Sequence, residues 1–338
     1  MNKKGVVLLS GGLDSILALR LMMEQDVELV SFMLISPFGD YGRPGEELIS
    51  KKVSREFGIP IEIEPFGEEY LEITKKPKFG YGKNMNPCID CRIFMLKKAK
   101  KFMEKVHASF LITGEVVNER PMSQRREVFK LIEKEIGLEG LIVRPLSGKL
   151  LPPTIPEKEG ILDREKFLSI SGRGRKIQLE LKEKYNLKDY LSPAGGCRLT
   201  IPEFSNRLKE EMEYKDIDLR DVHLLKYGRH FRLPEGSKLI VGRNKEENEI
   251  IYTYAKEDEY LLSPKNVKGP ISLLKERKEE DLLLSAKITL SYSDANANEE
   301  IKIFTKRSII KIIDVPYIDK SNFKALMVYG SVNCYGKN

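Results

Sequence analysis

The sequence predicts an α/β protein in which a domain built on a parallel β-sheet is followed by a smaller, β-rich domain. Short apolar runs alternate with segments of helical spacing up to about residue 113, an order that is typical of parallel sheets. Two of these runs lead into glycine-containing turns, SGG near Gly11 and TGE at Gly114. After about residue 215 the segments become short and rich in β-forming residues, with charged turns between them.

Apolar runs and helical spacing predict the elements of the first domain. Loops are expected from Gly140 to Pro156, because the segment LLPPTIP excludes regular structure. Ligands of parallel sheets bind at the carboxyl ends of the strands, which is where SGG and TGE fall. The predicted strands are Gly5–Leu9, Val27–Leu34, Ile59–Ile63 and Ser109–Thr113, and the predicted helices are Asp14–Met23, Leu48–Phe57, Lys97–Val106, Gly174–Lys188 and Pro202–Glu213.

The second domain is expected to be β-rich, and we place the two domains at residues 1–210 and 215–338. No internal repeat and no low-complexity tract is visible. The segments predicted as β-rich are Lys238–Gly242, Glu249–Thr253, Ala286–Ser291 and Ile309–Val315.

Length and composition narrow the functional classes. The chain has 338 residues, which favours two domains, and 58 Lys and Arg against 51 Asp and Glu give a net charge of +7. That charge permits an RNA partner without requiring one. No apolar run approaches the roughly 18 residues of a membrane span, and only four apolar residues follow the N-terminal lysine pair, so we expect a cytoplasmic protein. Four cysteines in so long a chain indicate metal binding or sulfur chemistry.

The hexapeptide SGGLDS, between a predicted strand and a predicted helix, is the sharpest local feature. Two glycines let the backbone approach an anion, and the helix N-terminus supplies amide donors and a positive dipole. The serines add hydroxyl donors, and the aspartate offers a carboxylate for a magnesium ion. A structural alternative is a Gly-Gly turn with a helix N-cap. The residues expected to bind phosphate are Ser10, Gly11, Gly12, Leu13, Asp14 and Ser15.

This hexapeptide resembles the pyrophosphate loop (PP-loop) of the N-type ATP pyrophosphatases, which cleave ATP to AMP and pyrophosphate. The resemblance implies an adenine nucleotide alpha hydrolase-like fold that binds ATP and Mg²⁺. It further implies that Met33 contacts adenine through its backbone, and that Gly114 and Glu115 close the other side of the nucleotide site. Asp14 is then a catalytic residue.

Two further segments are similar to enzymes that place sulfur in tRNA uridines. Asn86–Cys91 (NPCIDC) is similar to the NPCxxC segment of tRNA 2-thiouridylases. Thr113–Glu115, followed by Met122–Gln124 (MSQ), resembles the TGE…SQ stretch of tRNA 4-thiouridine synthetases. Together with the hexapeptide, these segments extend the resemblance over roughly residues 4–210.

The cysteines leave three interpretations open. Cys88, Cys91 and Cys197 could hold a [4Fe–4S] cluster with one iron open to an exogenous sulfur ligand, as in iron–sulfur thiouridine synthases with a similar PCxxC segment. Cys88 and Cys197 could instead form a nucleophile and persulfide pair without a cluster. A zinc site or simple packing is the third interpretation. We treat Cys334 as an ordinary thiol.

Basic residues are expected to contact tRNA. The element Gly172–Lys176 (GRGRK) combines flexible backbone with clustered charge, and three arginines flank the MSQ segment. A solvated charged surface is the alternative. Lys83, Arg92 and Arg198 would offset the charge of the thiolates or face tRNA phosphates. The flanking arginines are Arg120, Arg125 and Arg126, and the histidines His107, His223 and His230 are too scattered to propose a metal or catalytic role.

In the second domain, residues 226–232 (KYGRHFR) and 241–248 (VGRNKEEN) resemble the RNA-binding domain of ribosome-associated quality-control factors. Their arginine, aromatic and amide side chains are expected to contact phosphates and stack on bases. The alternative is a β-hairpin that only packs within the protein.

The sequence therefore predicts an ATP-dependent tRNA sulfurtransferase that adenylates a uridine carbonyl oxygen and replaces it with sulfur. Its expected partners are tRNA and a sulfur donor, which could be hydrosulfide, a cysteine desulfurase or a sulfur carrier. The alternatives are an ATP pyrophosphatase that amidates or ligates another substrate, and a non-enzymatic RNA-binding factor.

Overall fold

A computed structural model describes residues 1–39, 41, 46–191 and 196–328 of the chain. The chain divides into two compact units, Met1–Thr200 and Ile201–Asn338, so the division falls ahead of the predicted 210–215 boundary. The helix Pro202–Tyr214 is therefore grouped with the second unit. Glu210 and Glu211 on this helix form ion pairs with Arg232 of the second unit, which gives the physical reason for that grouping.

The first unit alternates strands and helices as the sequence predicts. Its strands are β1 (Lys4–Leu8), β2 (Glu28–Ile35), β3 (Ile61–Pro65), β4 (Phe110–Ile112) and β5 (Ile142–Val143), and its helices are α1 (Leu13–Met22), α2 (Ile49–Phe57), α3 (Glu69–Lys75), α4 (Cys88–Lys105), α5 (Arg126–Ile136), α6 (Ile155–Lys158) and α7 (Lys176–Lys184), with 3-10 turns at Gly148–Leu150, Arg164–Lys166 and Arg198–Thr200.

All five strands of the first unit form one parallel sheet in the order β3-β2-β1-β4-β5. The prediction of a parallel α/β domain is confirmed. β1 is central, and Val7 pairs in register with Ser31 of β2 and Ile112 of β4. Since neighbouring parallel strands end at one edge, the loops after β1 and β4 must lie side by side there.

Several elements differ from their predicted limits. α4 begins at Cys88 rather than at Lys97, so the two cysteines of the NPCIDC segment lie in its first turn. The buried Asp90 carboxylate accepts hydrogen bonds from the backbone nitrogens of Lys78 (2.9 Å) and Phe79 (3.0 Å), and thereby connects this turn to the preceding loop. Strand β5 lies within the segment where only loops were expected.

The second unit is an antiparallel six-stranded sheet with helices. The sheet order is β11-β10-β8-β9-β7-β6, and Leu282 and Ala286 of α11 belong to the apolar core that strands β6 to β11 share. The elements are α8 (Pro202–Tyr214), α9 (Leu219–Leu224), β6 (Arg229–Arg232), β7 (Lys238–Val241), α10 (Lys245–Tyr254), β8 (Tyr260–Pro264), β9 (Ser272–Leu274), α11 (Glu279–Ser291), β10 (Glu299–Phe304), β11 (Ile309–Val315) and a 3-10 segment at Lys320–Leu326.

The prediction of a separate β-rich unit is confirmed, but two of its predicted strand segments are wrong. Glu249–Thr253 lies inside α10, whose N-terminus is capped by the Asn244 side chain accepting from the Glu247 nitrogen at 2.9 Å. Ala286–Ser291 is the last part of α11, which begins with three acidic residues that favour a helix N-terminus. In both segments, the helix N-terminus and packing outweigh the strand preference of the β-branched residues. Among the helices of the described residues, none is long and apolar enough to cross a membrane.

Candidate active site

A cavity of about 370 Å³ lies in the first unit, where the loops after β1 and β4 meet the N-terminus of α4. It brings together most of the residues that the sequence predicts for nucleotide binding and for sulfur chemistry. The predicted residues that line it are Ser10, Gly12, Leu13, Asp14, Ser15, Met33, Gly114, Glu115, Cys88, Cys91 and Cys197, together with Arg92, Arg120 and Arg175.

The loop between β1 and α1 has the geometry of an anion-binding turn. Gly11 has φ +83°, and a Cβ there would stand 3.2 Å from the Ser50 backbone nitrogen, so glycine is required. The Ser10 hydroxyl lies 3.2 Å from the Ser15 hydroxyl, which itself donates to the Gly12 carbonyl at 2.7 Å. These contacts fix the loop. The amides of Leu13 and Asp14 precede the first hydrogen bond of α1, which Ser15 N donates to the Gly12 carbonyl at 3.0 Å, so those two amides are the donors offered to an anion.

Gly114 allows β4 to approach the start of α1 closely. A Cβ at Gly114 would stand 2.5 Å from the Asp14 carbonyl carbon and 2.6 Å from the Ser15 nitrogen. No other residue type fits at that distance without displacing backbone. The TGE turn is therefore a packing requirement of the PP-loop as well as a wall of the cavity.

Asp14 is a half-buried residue whose carboxylate is incompletely paired. Its Oδ1 atom has no hydrogen-bond partner among the described residues, and Oδ2 lies 3.8 Å from the Arg175 guanidinium. Partial burial raises the pKa of Asp14, although Arg175, the Gln178 side chain and Arg120 act in the opposite direction. Burial and the charge of Asp14 together raise the pKa of Glu119, which also lines the cavity. Two neighbouring carboxylates with disfavoured negative charge suit a divalent cation.

Met33 lies within β2, two residues before its end, and lines the cavity. The Phe32 carbonyl accepts from the Leu9 nitrogen at 3.0 Å, so the peptide groups of Phe32 face β1. Because successive residues of a strand alternate, the peptide groups of Met33 face β3, where it is in register with Ile63. The peptide groups of Leu34 instead face the β1 side of β2, at a level beyond the last residue of β1. The adenine contact of Met33 stays a prediction, and this alternation favours Leu34 for it.

The three thiols line the same cavity from two segments that are about a hundred residues apart in the sequence. The Cys88 sulfur is 3.0 Å from the Ser123 hydroxyl, and the Tyr70 hydroxyl is hydrogen-bonded to Cys91. Burial raises the pKa of Cys91. Burial, with the nearby Cys91 and Cys88, raises the pKa of Cys197 to about 12. Grouped thiols that disfavour each other's ionisation form a donor set that a cation would stabilise.

The donor set fits an iron–sulfur cluster in residue type, because Cys thiolates are the ligands that such clusters use, and all three thiols line one cavity. Within the described residues, no three His, Cys, Asp or Glu side chains already stand in metal-binding geometry, so the structure provides donors without a coordination geometry. Gly195, two residues before Cys197, and the fourth cysteine, Cys334, lie outside the described residues.

Glu115 lines the cavity, but its carboxylate is held by two arginines. Arg92 Nε lies 3.1 Å from one oxygen, and Arg144 Nε and the Thr113 hydroxyl donate to the other at 3.0 and 3.1 Å. Burial alone would raise the pKa of Glu115, but Arg92 and Arg144 keep it below its usual value. Its contact with a nucleotide stays a prediction, and the structure adds an ion pair between its Oε1 and Arg92.

The basic element Gly172–Lys176 lies partly in the cavity. The Gly172 nitrogen donates to the Val117 carbonyl at 2.8 Å, which attaches the element to the loop after β4. Arg175 reaches Asp14, whereas Arg173 is exposed. The three arginines beside the MSQ segment are all exposed, but Arg120 lines the cavity, whereas Arg125 and Arg126 do not.

In the second unit, most side chains of the KYGRHFR and VGRNKEEN segments are engaged within the fold. Phe231 and His230 are buried, and His230 Nε2 is 2.7 Å from the Tyr227 carbonyl. Arg232 pairs with acidic residues of α8, and Arg243 pairs with Glu247. Phe231, His230 and Arg232 thus serve packing and ion pairing, whereas the Arg243 side chain is 46% exposed. Contact of these segments with RNA stays a prediction.

Sequence reasoning missed three functional candidates. Glu119 was not considered, although a charged residue so close to the TGE turn was a usable signal. Arg175 was assigned to tRNA because a charge cluster does not reveal which member points inwards. Arg144 was overlooked, although an arginine directly after the apolar run LIV marks the end of a strand.

Two family models match separate parts of the chain. Residues 1–150 match the family described as "Thiamine biosynthesis protein (ThiI)", and residues 228–326 match "NFACT protein RNA binding domain". The two matches fall in the first and second units respectively.

Curated relatives are similar to the first part of the chain. A tRNA-specific 2-thiouridylase MnmA of Syntrophotalea carbinolica is 29% identical over 121 residues, covering 33% of this chain and 34% of that protein. A probable tRNA sulfurtransferase of Thermoanaerobacter sp. (strain X514) is 33% identical over 152 residues, covering 44% and 37%. The chain thus spans only about a third of the length of the curated relatives it matches.

Among solved structures, a 4-thiouridine synthetase–RNA complex with bound ATP is similar at 24% identity and a TM-score of 0.34, covering 54% of this chain and 50% of that one. The sequence resemblance is confirmed by the family models and the curated relatives: the chain resembles PP-loop tRNA thiouridine synthases in its first unit and the NFACT RNA-binding domain in its second.

Proposed function

We propose that this protein is an ATP-dependent tRNA sulfurtransferase that forms thiouridine. The observation that carries the proposal is the single cavity in which a PP-loop, two carboxylates and three thiols meet. A nucleotide-binding loop alone would suit many ligases. Thiols beside it favour a reaction in which sulfur is delivered to a carbonyl carbon that ATP has activated.

Binding of ATP is assigned to the loop after β1. The amides at the start of α1 and the hydroxyls of Ser10 and Ser15 face the position of the pyrophosphate. Mg²⁺, when bound, neutralises the charge that develops on that pyrophosphate. Asp14 and Glu119 supply carboxylate oxygens for it, and the guanidinium of Arg175 supplies a further positive charge.

The reaction has two balanced steps. The uridine carbonyl oxygen attacks the α-phosphorus of ATP, which forms an O-adenylated uridine and releases pyrophosphate. A sulfur anion then attacks the activated carbon, and AMP leaves with the former carbonyl oxygen. In this scheme the PP-loop holds the leaving pyrophosphate, and the cysteine wall of the cavity positions the sulfur.

We assign the sulfur site to Cys88, Cys91 and Cys197 as the ligands of a [4Fe–4S] cluster. Such a cluster, when bound, presents an open iron that can carry an exogenous sulfide. The rival route is a persulfide on one cysteine without any metal. Cys91 and Cys197 are half-buried, and the raised pKa values of both thiols favour the cluster, because thiols that resist ionisation are poor nucleophiles unless a metal binds them.

The second unit is proposed to bind tRNA, which the match to an RNA-binding domain supports. Hydrosulfide is the simplest sulfur donor for the chemistry above, and the working compartment is proposed to be the cytoplasm.

The decisive test is mass spectrometry of nucleosides after incubation of the chain with unmodified tRNA, ATP, Mg²⁺ and sodium sulfide under anaerobic conditions. Thiouridine formation with one AMP and one pyrophosphate per sulfur is expected. Nitrogen incorporation, or tRNA binding without ATP cleavage, would instead support the amidating or the non-enzymatic alternative.

The cluster assignment has its own test. Anaerobic reconstitution should give about four irons per chain, following the stoichiometry of such clusters. Replacing any one of Cys88, Cys91 and Cys197 with serine should abolish both iron binding and thiolation, whereas Cys334→Ser should abolish neither. Full thiolation by metal-free protein would establish the persulfide route.

A further inference from the structure

A line of paired charges crosses the first unit and has no part in the chemistry proposed above. Arg92 of α4 contacts Glu115 at 3.1 Å, and Glu115 accepts from Arg144 at 3.0 Å. Arg144 also pairs with Glu133 of α5 at 2.5 Å and lies over the Phe129 ring, 3.9 Å from its centroid. The line thus connects the cavity wall to α5 through two side chains that are almost fully buried, Glu115 and Arg144.

Burying charges in this way is unfavourable unless they are paired. Arg144 has two acidic partners, and Arg144 Nε and the Thr113 hydroxyl both donate to Oε2 of Glu115. The other oxygen, Oε1, is buried without a hydrogen bond and lies 3.1 Å from Arg92 Nε, so Arg92 and Arg144 together stabilise the Glu115 charge. This ion pair holds the Nε side of Arg92 against Glu115 and leaves its two terminal nitrogens on the other side.

The free end of Arg92 belongs to the cavity. Arg92 lines the cavity, and its side chain is 19% exposed. Within the described part of the chain, its two terminal nitrogens make no hydrogen bond. Arg92 follows Cys88 by four residues on α4, so both lie on one face of the helix. Helical side chains lean towards the N-terminus, which directs Arg92 towards Cys88. Cys88 is itself fixed by Ser123 at 3.0 Å.

We propose that Arg92 is an anion-binding residue that holds a small sulfur anion, with hydrosulfide as the simplest case, beside Cys88. Glu115 and Arg144 are positioning residues that orient its guanidinium group. The identity of the anion rests on the proposed function, whereas the anion site itself rests on the geometry. The phosphates of ATP have their own cations, Arg120 and Arg175, next to the PP-loop.

The test compares two alkylating reagents of similar size and different charge. Metal-free full-length protein is treated with iodoacetate, which is anionic, or with iodoacetamide, which is neutral, and modification of Cys88 is followed by peptide mass spectrometry. The ratio of the two rates cancels the intrinsic reactivity and the accessibility of the thiol. It therefore reports the attraction of an anion to the site.

Arg92→Gln should lower the iodoacetate-to-iodoacetamide ratio about tenfold, the size expected when a hydrogen bond between charged groups is lost. Arg92→Lys should retain most of the preference, because it keeps the charge. Glu115→Gln should lower the ratio while Arg92 is still present, which a purely structural role would not do. Lys97→Gln removes an exposed charge from the same helix and serves as the matched control, with an unchanged ratio.

The proposal is overturned if Arg92→Gln changes both rates by the same factor. If Arg92→Gln fails to fold, Arg92→Lys and Arg92→Met are compared instead. An equal iodoacetate-to-iodoacetamide ratio in these two variants would show that the charge at residue 92 does not attract the anion. Sodium sulfide should also compete with iodoacetate at Cys88 in the wild type and not in Arg92→Gln. These measurements need neither ATP nor tRNA. They therefore test the anion site even if the protein is not a sulfurtransferase.

Discussion

The charge network around Glu211 in the second unit and the cavity of the first unit bury charged side chains in different ways. In the second unit, Glu211 accepts from Lys275 at 2.8 Å and pairs with Lys238 at 3.3 Å and Arg232 at 3.0 Å. In the cavity of the first unit, Asp14 Oδ1 and Arg175 Nε are buried without any hydrogen-bond partner among the described residues.

This difference separates structural charges from functional ones. A buried charge with several partners stabilises one arrangement of the chain, and it has no capacity left for a ligand. A buried polar atom without a partner carries an unfavourable desolvation free energy unless a ligand completes it. The comparison explains why Arg232 of the second unit stabilises its fold, whereas Arg175 of the first unit keeps a nitrogen available for a ligand.

The largest effect is expected from removing a charge in the second unit. Glu211→Gln should lower the free energy of unfolding by about 3 to 5 kcal/mol, because it leaves buried cations underpaired. Urea unfolding measures this loss, with Glu249→Gln as the matched exposed control, since Glu249 is 68% exposed and makes only a 3.9 Å contact with Lys245. A loss below about 1 kcal/mol would mean that the network is no more than a set of surface pairs.

In the first unit, Asp14→Ala should reduce thiolation at least about a hundredfold, the loss expected for a group that stabilises transition-state charge. It should not lower the melting temperature, because the fold already disfavours the charged carboxylate. Turnover at saturating ATP and Mg²⁺, together with thermal melting, measures both. Asp26→Ala, at a side chain that is 94% exposed, is the control. Near-normal turnover of Asp14→Ala would show that Asp14 is not a catalytic residue.

The two arginines of the GRGRK element allow a sharper comparison within one segment. Arg175→Ala should weaken ATP binding about tenfold, because it removes a charged contact from the cavity. Arg173→Ala should leave ATP binding unchanged and reduce the log–log salt slope of tRNA binding by about 0.7 to 0.9 if it contacts one phosphate. Calorimetry with ATP and filter binding with tRNA measure these effects. Equal effects of both variants on ATP would contradict the inward placement of Arg175.

The smallest effect concerns pH. Burial would raise the pKa of Asp221, but Lys275 and Lys215 lower it to about 2 from 3.8. Since the folded pKa is the lower one, the stability that Asp221 provides is complete above about pH 4 and is lost as the pH falls towards 2. The difference in unfolding free energy between wild type and Asp221→Asn should therefore shrink over that range in urea titrations. A difference that stays constant from pH 5 to pH 2.5 would contradict the pairing.

Local sequence patterns were sufficient for the parallel sheet and for the PP-loop. Gly11 and Gly114 mark places where backbone must turn or approach closely, and such requirements can be read from residue type alone. The same reading failed for Ala286–Ser291, because β-branched residues at helical spacing resemble a strand until the acidic start of α11 is taken into account.

By itself, the sequence predicted the PP-loop and the two-unit organisation, because residues close together in the chain carry both signals. It also predicted that Cys88, Cys91 and Cys197 act together, and the structure places all three thiols at one cavity although about a hundred residues separate the two segments. Only the tertiary structure decided which charges are free. Arg173 and Arg175 are the same residue type two positions apart, yet the bond from Gly172 to Val117 fixes the element so that one side chain reaches Asp14 while the other is exposed. Likewise, Arg232 differs from an RNA-binding arginine only because α8 places Glu210 and Glu211 beside it. Partners of a charge come from distant parts of the chain, and local sequence does not encode their position.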